Sequence, residues 1–163
     1  MNSLLLLQAV IIAFLPIFEV RGAIPLVVFT ASTPAEFYLG VILSVVSNML
    51  VPLVAFKLLE YLDYVVNHER TPRSLKRLYS WLLTLGRKRA SKLRTGSYVA
   101  LALFVGLPFP ATGAWTGTLV AFVLGMNKRK ATLWIILGVL IASFIVLLAS
   151  VLGLEVLKKV FLL

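Results

Sequence analysis

Hydrophobic residues form four long blocks along the chain, and the charged residues lie between or beside these blocks. Residues 37–56 carry no charge over about 20 positions and residues 131–153 none over about 23, so each block is long enough to cross a hydrocarbon core of about 30 Å as a helix. The pattern predicts two membrane-spanning helices. The other two blocks differ, because helix-breaking residues interrupt them.

The first interrupted block covers the N-terminal part of the chain. An apolar run over residues 2–18 ends at the sequence PIFEVRG, residues 16–22, and a second apolar run continues to about residue 31. Helices over these two runs would each be no longer than about 18 Å, roughly half of a membrane. They predict a re-entrant hairpin, which enters and leaves the membrane on one face.

The second interrupted block covers residues 97–127, which are uncharged. Pro108, Pro110 and Gly113 divide it into pieces of about 11 and 14 residues, each again about half a membrane long. Basic residues flank the block on both sides, and basic loops tend to stay in the cytoplasm. The block must then return to its starting side, as a re-entrant hairpin does; two full crossings are the alternative.

A hairpin followed by a spanning helix thus occurs twice, at residues 2–59 and 97–153. Each half makes one net crossing, so the two copies face opposite ways and form an inverted repeat of the kind found in many secondary transporters. The expected fold is an all-α integral membrane protein with one domain, residues 1–163. It has two spanning helices, two re-entrant hairpins, a connecting segment at residues 60–96 and a short amphipathic segment at residues 154–163.

The connecting segment has the pattern of an amphipathic, basic helix. Thr71 and Pro72 are typical of an N-cap and a first helical position. Apolar residues recur at helical spacing, with basic residues beside them. We expect this helix on the cytoplasmic membrane surface, held by anionic lipids, with Tyr79 and Trp81 at headgroup depth; a solvated loop is the alternative. The apolar stripe is Leu75, Leu78, Leu82 and Leu85, and the basic residues beside it are Arg73, Lys76 and Arg77.

Composition supports the membrane assignment. Hydrophobic residues make up 61% of the 163-residue chain and charged residues 13%, which is too apolar for a soluble domain of this size. The net charge of +10 could indicate nucleic-acid binding, but nine of the sixteen Lys and Arg residues lie at 70–94 and three more at 128–130, as in cytoplasmic loops. We expect a multi-pass protein of the cell membrane, with both termini outside and no nucleic-acid partner.

Few side chains are suited to catalysis or metal binding. The chain has no cysteine, and its one histidine, His68, has no Cys, Asp or Glu cluster at the spacing of metal ligands. The sequence also lacks a nucleophile triad and a phosphate-binding loop. We expect no enzymatic activity, no cofactor and no bound metal.

The two interruptions are the candidate functional sites. Backbone that leaves the helical form inside a membrane has unpaired amides and carbonyls, which cost several kcal/mol each unless they are buried in protein or line a polar cavity. Free N–H groups at the start of a half-helix favour anions, and unwound carbonyls favour cations. A binding site can therefore form there with few charged side chains.

At the first interruption, Glu19 and Arg21 are the only charged residues among the first 35. An ionisable pair at mid-depth is costly and usually functional, with Glu19 accepting a proton or cation and Arg21 pairing with it or contacting an anion. Gly22 and Pro25 mark the break beside them. The alternative is a hydrated turn at the membrane interface.

At the second interruption, Pro108 and Pro110 break the chain, and Gly113 permits close backbone approach. Packing of the hairpin through small residues is the alternative role for this segment. Side chains that could donate hydrogen bonds to a substrate or ion are Thr112, Trp115 and Thr116.

Two further polar residues lie outside the interruptions. Asn48 is near the middle of the first predicted spanning helix, one turn after Ser44. It could line the same cavity, but a hydrogen bond between helices is the favoured interpretation. Glu36 follows the first hairpin and is expected at the interface, where it serves as a hydrated comparison for Glu19.

The interruptions also carry a family resemblance that extends over nearly the whole chain. PIFEVRGAIP at residues 16–25 and GLPFPATGAWTG at residues 106–117 resemble the paired signatures of the small multidrug export protein family, related to the DedA-type membrane proteins. The second motif usually has Gly where this chain has Ala111. The resemblance implies two re-entrant hairpins in an inverted repeat. For the DedA-type group it implies proton-coupled movement of small molecules or phosphorylated lipid carriers.

The favoured hypothesis is a membrane transporter, coupled to protons or another cation, that exports small molecules or flips a lipid carrier. Its site would be formed by the two re-entrant segments. We expect a homo-oligomer, because two spanning helices and two hairpins hardly enclose a pathway alone. The alternative is a non-transporting membrane protein that assembles or organises lipids through its basic helix.

Overall fold

The structure, a computed structural model, describes residues 2–68, 72–91, 97–109 and 112–161, with side chains up to residue 153. This part of the chain consists of seven helices and contains no strand, as the sequence predicts. The helices are α1 Ser3–Phe14, α2 Glu19–Thr30, α3 Pro34–Val66, α4 Arg73–Ala90, α5 Tyr98–Gly106, α6 Ala114–Val123 and α7 Lys128–Phe161.

Two helices, α3 and α7, are long and apolar enough to cross a membrane, which confirms that part of the prediction. α3 has 33 residues and α7 has 34, so each is about 50 Å long. Both extend past the uncharged stretches from which they were predicted, because a helix continues its backbone hydrogen bonds beyond the hydrocarbon into charged turns. α7 runs into the predicted C-terminal segment, whose side chains lie outside the described part of the chain.

The first short pair of helices, α1 and α2, has 12 residues in each member, or about 18 Å. We call residues 15–18, which separate them, the first break. α2 begins at Glu19, several residues earlier than predicted, so Gly22 and Pro25 lie inside a helix rather than in the break. The sequence interpretation was wrong on this boundary because a proline within a helix removes only one backbone donor, and neighbouring turns tolerate that loss here.

The second short pair, α5 and α6, has 9 and 10 residues. We call residues 107–113, which separate them, the second break; its position agrees with the predicted interruption. Pro110 and Ala111 lie outside the described residues. Leu107 connects the second break to α5, since its N–H donates to the Leu103 carbonyl at 2.9 Å, and the Phe109 N–H in turn donates to the Leu107 carbonyl at 2.8 Å.

α1 packs along α3 through side-chain hydrogen bonds. Ser47 Oγ donates to the Val10 carbonyl at 2.8 Å, and Asn48 Nδ2 donates to the Ala13 carbonyl at 2.7 Å. Asn48 is buried, so the interhelical hydrogen bond expected for it is present. These contacts bring the end of α1 against the middle of α3.

α5 packs along α7 through close contacts at glycine. A Cβ added at Gly138 would come within 2.6 Å of the Ala102 carbonyl oxygen, and one at Gly106 would lie 3.0 Å from Ile141 Cγ2. Backbones this close pack without room for a side chain. The end of α5 therefore meets α7 well inside that long helix, as the end of α1 meets α3.

α4, the amphipathic helix between the halves, begins at Arg73, with Pro72 at its N-cap position. The predicted start was one residue earlier, and Thr71 lies outside the described residues. Gly86 packs closely against Val123 of α6. Arg87 and two further basic residues occupy the last turn of α4, where they complement the negative end of the helix dipole.

Tyr79 of α4 is buried against protein, although we expected it at headgroup depth. Its hydroxyl donates a 2.6 Å hydrogen bond to Asp63 Oδ1 at the end of α3. Burial, together with this bond to a carboxylate, raises the pKa of Tyr79 to about 12. Leu78 is 50% exposed and Trp81 59% exposed. Part of the apolar face of α4 is therefore not covered by the rest of the protein.

Candidate functional site at the two breaks

Glu19, the first residue of α2, is held in an unusual backbone conformation. Its φ is +50°, in the left-handed region that side chains other than glycine enter rarely and at a cost of about 1–3 kcal/mol. The side chain is only 5% exposed. The chain therefore turns sharply at Glu19, and the turn directs its carboxylate into the protein.

The carboxylate of Glu19 reaches the second break. Oε1 accepts a hydrogen bond from the Trp115 N–H at 3.2 Å, and the Ala114 N–H also donates to the carboxylate. These are among the unpaired donors at the start of α6, so the negative charge lies at the positive end of that helix. A Cβ at Gly113 would overlap the carboxylate, so only glycine leaves room for it there.

Arg21, two residues further along α2, reaches the same segment. One of its terminal nitrogens donates to the Phe109 carbonyl. The other donates to the carbonyl of Thr112 at 2.6 Å and to the Thr112 hydroxyl at 3.1 Å, with a longer bond of 3.3 Å to the Leu107 carbonyl. The guanidinium thus joins three positions of the second break.

The two breaks are therefore held together by reciprocal hydrogen bonds. The negative side chain takes N–H donors from the start of α6, and the positive side chain donates to carbonyls of the non-helical segment before it. A further bond runs from Trp115 Nε1 to the Phe14 carbonyl at the end of α1, at 2.8 Å, and the two rings meet edge to face. We call this set of contacts the junction.

The region that contains the junction matches a known protein family. The sequence profile described as "Putative small multi-drug export protein" matches residues 19–145. The chain belongs to this family. Neither a curated protein nor a solved structure matches the chain. Membership in an export family, together with two apolar helices of spanning length, indicates a membrane protein.

The matched region of the export family begins at Glu19 and includes most of the residues that the sequence singled out. The structure brings Glu19, Arg21, Thr112 and Trp115 into direct contact at the junction, with Gly113 packed against them. Pro110 lies outside the described residues. Whether these residues bind a substrate or ion stays a prediction, as does a relation to DedA-type proteins.

The other predicted site residues lie around the junction rather than in it. Gly22 packs closely against Phe18, and Thr116 is partly buried. Asn48 bonds α1 as described above, while its Oδ1 is buried and has no hydrogen-bond partner in the described part of the chain. Pro25 and Pro108 line an open cleft between α2, the second break and α7.

Glu36 differs from the interfacial, hydrated residue that we expected. It is 4% exposed and accepts backbone hydrogen bonds from Asn2 at 2.6 Å and from Ser32 at 3.0 Å. It thus ties the start of α1 to the start of α3. Glu36 is a second buried carboxylate held by N–H donors, within one half of the molecule and away from the junction.

Sequence reasoning missed the backbone groups of the junction. The two charged side chains bind the carbonyls of Phe109 and Leu107 and the N–H of Ala114. Every residue has such backbone groups, so the amino-acid sequence does not show which of them form hydrogen bonds. The one available signal was Gly113, because a glycine at the start of a half-helix indicates a close neighbour. It could not reveal that this neighbour is Glu19.

Proposed function

We propose that this protein is a membrane transporter of the small-molecule export type, with its site at the junction. The observation that carries the proposal is the pair of charged side chains beside the first break, which bind backbone of the second break and of the start of α6 across 86–96 positions of sequence. Charged and non-helical groups are expensive in a membrane and are retained chiefly where they serve a binding site or an ion pathway.

The packing of the short helices supports a site near the membrane mid-plane. Ala13, near the end of α1, bonds to Asn48 in the middle of α3, and Gly106, at the end of α5, contacts Ile141 inside α7. We propose that each short pair is a re-entrant hairpin and that the halves form an inverted repeat. Transporters built this way bind substrate where broken helices meet.

Glu19 is our candidate for the coupling residue. Its carboxylate is buried, accepts N–H donors from the start of α6 and lies near the cationic Arg21. A proton on Glu19 would weaken these bonds and loosen the contact between the breaks. We therefore propose export driven by protons or another cation; flipping of a lipid carrier, as in DedA-type proteins, would use the same coupling.

Flux measurements in proteoliposomes test the proposal. The purified chain is reconstituted, and uptake of a panel of drug-like dyes and of a fluorescent lipid-phosphate analogue is recorded with and without an imposed proton gradient. We expect gradient-dependent flux for wild type and its loss in Glu19→Gln. Glu36→Gln is the matched control, because it removes a buried, hydrogen-bonded carboxylate remote from the junction. Equal flux per folded molecule in both variants would refute the role of Glu19.

A second candidate function rests on the uncovered arc of α4. Leu78 and Trp81 are exposed, and basic residues flank them, which fits a helix that binds anionic lipid and organises the bilayer without transport. Vesicle flotation with Trp81→Ser and Arg77→Gln would measure that binding. If those variants abolish lipid binding while Glu19→Gln changes no measurable property, the lipid-organising function is preferred over transport.

The same exposed apolar surfaces are compatible with assembly. α3 and α7 both present large apolar side chains on the outside of the described chain. We propose a homo-oligomer, since two spanning helices and four short ones enclose little space. Mass photometry in nanodiscs would count the chains per particle, and a monomer that retains flux would exclude an obligatory oligomer.

A further inference from the structure

The cleft beside the junction has an unusual lining. It has a volume of about 390 Å³ and lies between α2, the second break and α7. Phe29 and Ile145 form apolar walls, and Pro108 lies at the second break. Among the described residues that line it, Arg21 alone carries a charge. The volume falls within the range of small-molecule sites in proteins.

The two charges of the junction differ in how available they are to a ligand. The Glu19 carboxylate is enclosed: it is buried, it already accepts N–H donors from α6, and Gly113 packs against it. Glu19 is also not among the residues that line the cleft. A cationic ligand in the cleft would therefore meet a guanidinium and no free carboxylate.

Arg21 retains unused hydrogen-bonding capacity. A guanidinium has five N–H groups, and the bonds to the second break come from its two terminal nitrogens. Its Nε is buried and has no partner in the described part of the chain. The nearby Glu19 carboxylate interacts with Arg21 through its charge, but the oxygens that accept hydrogen bonds from the guanidinium belong to neutral carbonyl and hydroxyl groups. Because Arg21 also lines the cleft, its guanidinium suits an additional anionic partner there.

The rest of the cleft offers apolar surface and little hydrogen bonding. Ser150 is its other polar side chain, and its hydroxyl donates to the Val146 carbonyl of its own helix at 2.7 Å. Ala149 is exposed beside it on α7, so this side of the cleft is open. A ligand here would have one anionic group at Arg21 and an apolar body along α2 and α7.

We propose that the cleft binds amphiphilic anions, with the anionic group at Arg21 and the apolar chain between Phe29 and Ile145. The proposal names the substrate class of the transporter and so rests on the proposed function. A lipid phosphate headgroup and a free alkyl sulfonate or carboxylate share this chemistry. The same arrangement disfavours lipophilic cations, which a carboxylate-based drug site would select.

A matched pair of amphiphiles tests the charge preference. Dodecanesulfonate and dodecyltrimethylammonium have the same alkyl chain and opposite headgroup charges. Each is titrated by calorimetry into the full chain in phosphatidylcholine nanodiscs, with empty nanodiscs subtracted. We expect saturable binding of the sulfonate and binding of the ammonium at least about tenfold weaker. Equal or tighter binding of the ammonium would overturn the proposal.

Two α7 variants locate the site without disturbing the junction. Ala149→Phe fills the open side of the cleft, and Leu140→Phe adds a similar ring at an exposed position of α7 that does not line it. We expect Ala149→Phe to weaken sulfonate binding about tenfold and Leu140→Phe to leave it unchanged. Equal effects of the two variants would overturn the proposal. Arg21→Gln should also abolish binding, and the α7 pair keeps the test valid if that variant fails to fold.

Co-purified lipid separates the two sources of the ligand. Mass spectrometry of protein extracted from membranes measures anionic phospholipid retained by wild type, Ala149→Phe and Leu140→Phe. Loss in Ala149→Phe alone identifies a lipid headgroup as the occupant, whereas equal retention with weakened sulfonate binding identifies a free amphiphile. Binding without flux in proteoliposomes would refute the proposed function and leave this binding site intact. Flux that is unchanged in Ala149→Phe would refute the binding site and leave the proposed function intact.

Discussion

The two halves of the molecule hold their short helices in different ways. In the first half, Ser47 and Asn48 fix α1 to α3 through hydrogen bonds to backbone carbonyls. In the second half, Gly106 and Gly138 bring α5 against α7 with almost no space between the backbones. The α1–α3 contact relies on polar side chains and the α5–α7 contact on the absence of side chains.

The junction repeats this division. Both charges, Glu19 and Arg21, come from the first half, while the second half contributes backbone N–H and carbonyl groups, the Thr112 hydroxyl, the Trp115 indole and a glycine that makes room for the carboxylate. A polar site in an apolar domain can thus be shared between one half that supplies the charges and another that supplies mostly backbone groups. The sequence pattern reveals the charged residues of such a site but not the backbone groups that bind them.

Among the variants considered, we expect the largest loss of stability when a methyl group is added at Gly113, the glycine of the junction in the second half. In Gly113→Ala, the new Cβ overlaps the Glu19 carboxylate, which must move out of its hydrogen bonds. We expect a loss of about 2–4 kcal/mol in unfolding free energy, measured by denaturant titration in detergent. Gly153→Ala is the control, since nothing lies within 4 Å of a Cβ there. Similar stability of the two variants would show that Glu19 is not seated against Gly113.

Removing the charges of the first half should have the next largest effect. Glu19→Gln loses charge-assisted hydrogen bonds to the start of α6 and Arg21→Gln loses those to the second break, each change worth about 1.5–3 kcal/mol. Because both side chains hold the same segment, we expect the double variant to be less destabilised than the sum of the single variants. A double-mutant cycle of thermal unfolding measures the coupling. Strict additivity would mean that the two contacts are independent.

Asn48→Ala and Ser47→Ala test the comparison within the first half. Each loses one hydrogen bond to α1, so we expect about 1 kcal/mol of destabilisation per variant, with flux per folded molecule unchanged. Unfolding in detergent and proteoliposome flux measure the two quantities separately. If Asn48→Ala stops transport while Ser47→Ala does not, Asn48 belongs to the site rather than to the packing of α1.

The smallest effect concerns Tyr79 and appears only at high pH. The pKa of Tyr79 is about 12 in the folded chain, above the ordinary value near 10, because burial and the bond to Asp63 favour the protonated phenol. The unfolded chain releases this proton first, so stability is fully present below about pH 10 and falls as pH rises toward 12. Tyr79→Phe should flatten that part of the pH profile of unfolding. An unchanged profile would contradict the raised pKa.

Much of the fold could be predicted from the chain because lipid imposes simple length rules. The uncharged stretches predicted α3 and α7, and prolines in the second half predicted the second break. The first break was harder, because Gly22 and Pro25 resemble breakers and yet lie inside α2. Local propensity was overridden there by the packing of α2 against its neighbours.

The candidate site could be predicted only on the side that has charges. Glu19 and Arg21 stood out because ionisable residues are rare in such a stretch. Their partners did not, since carbonyl and N–H groups occur at every residue. Glu36 misled in the opposite direction: its position after a hairpin indicated exposure, whereas contact with the Asn2 N–H buries it. Such long-range contacts have no signature in hydrophobic periodicity.

The separation of the junction's partners along the chain has a consequence for biogenesis. Glu19 and Trp115 are 96 positions apart, so at ribosomal speeds of about 5–20 residues per second the acceptor segment is synthesised roughly 5–20 s after the carboxylate. During that interval a newly inserted first half exposes an unpaired carboxylate and guanidinium to lipid or to the insertion machinery. Assembly of this protein should therefore be sensitive to factors that shield polar groups in the membrane until the second half arrives.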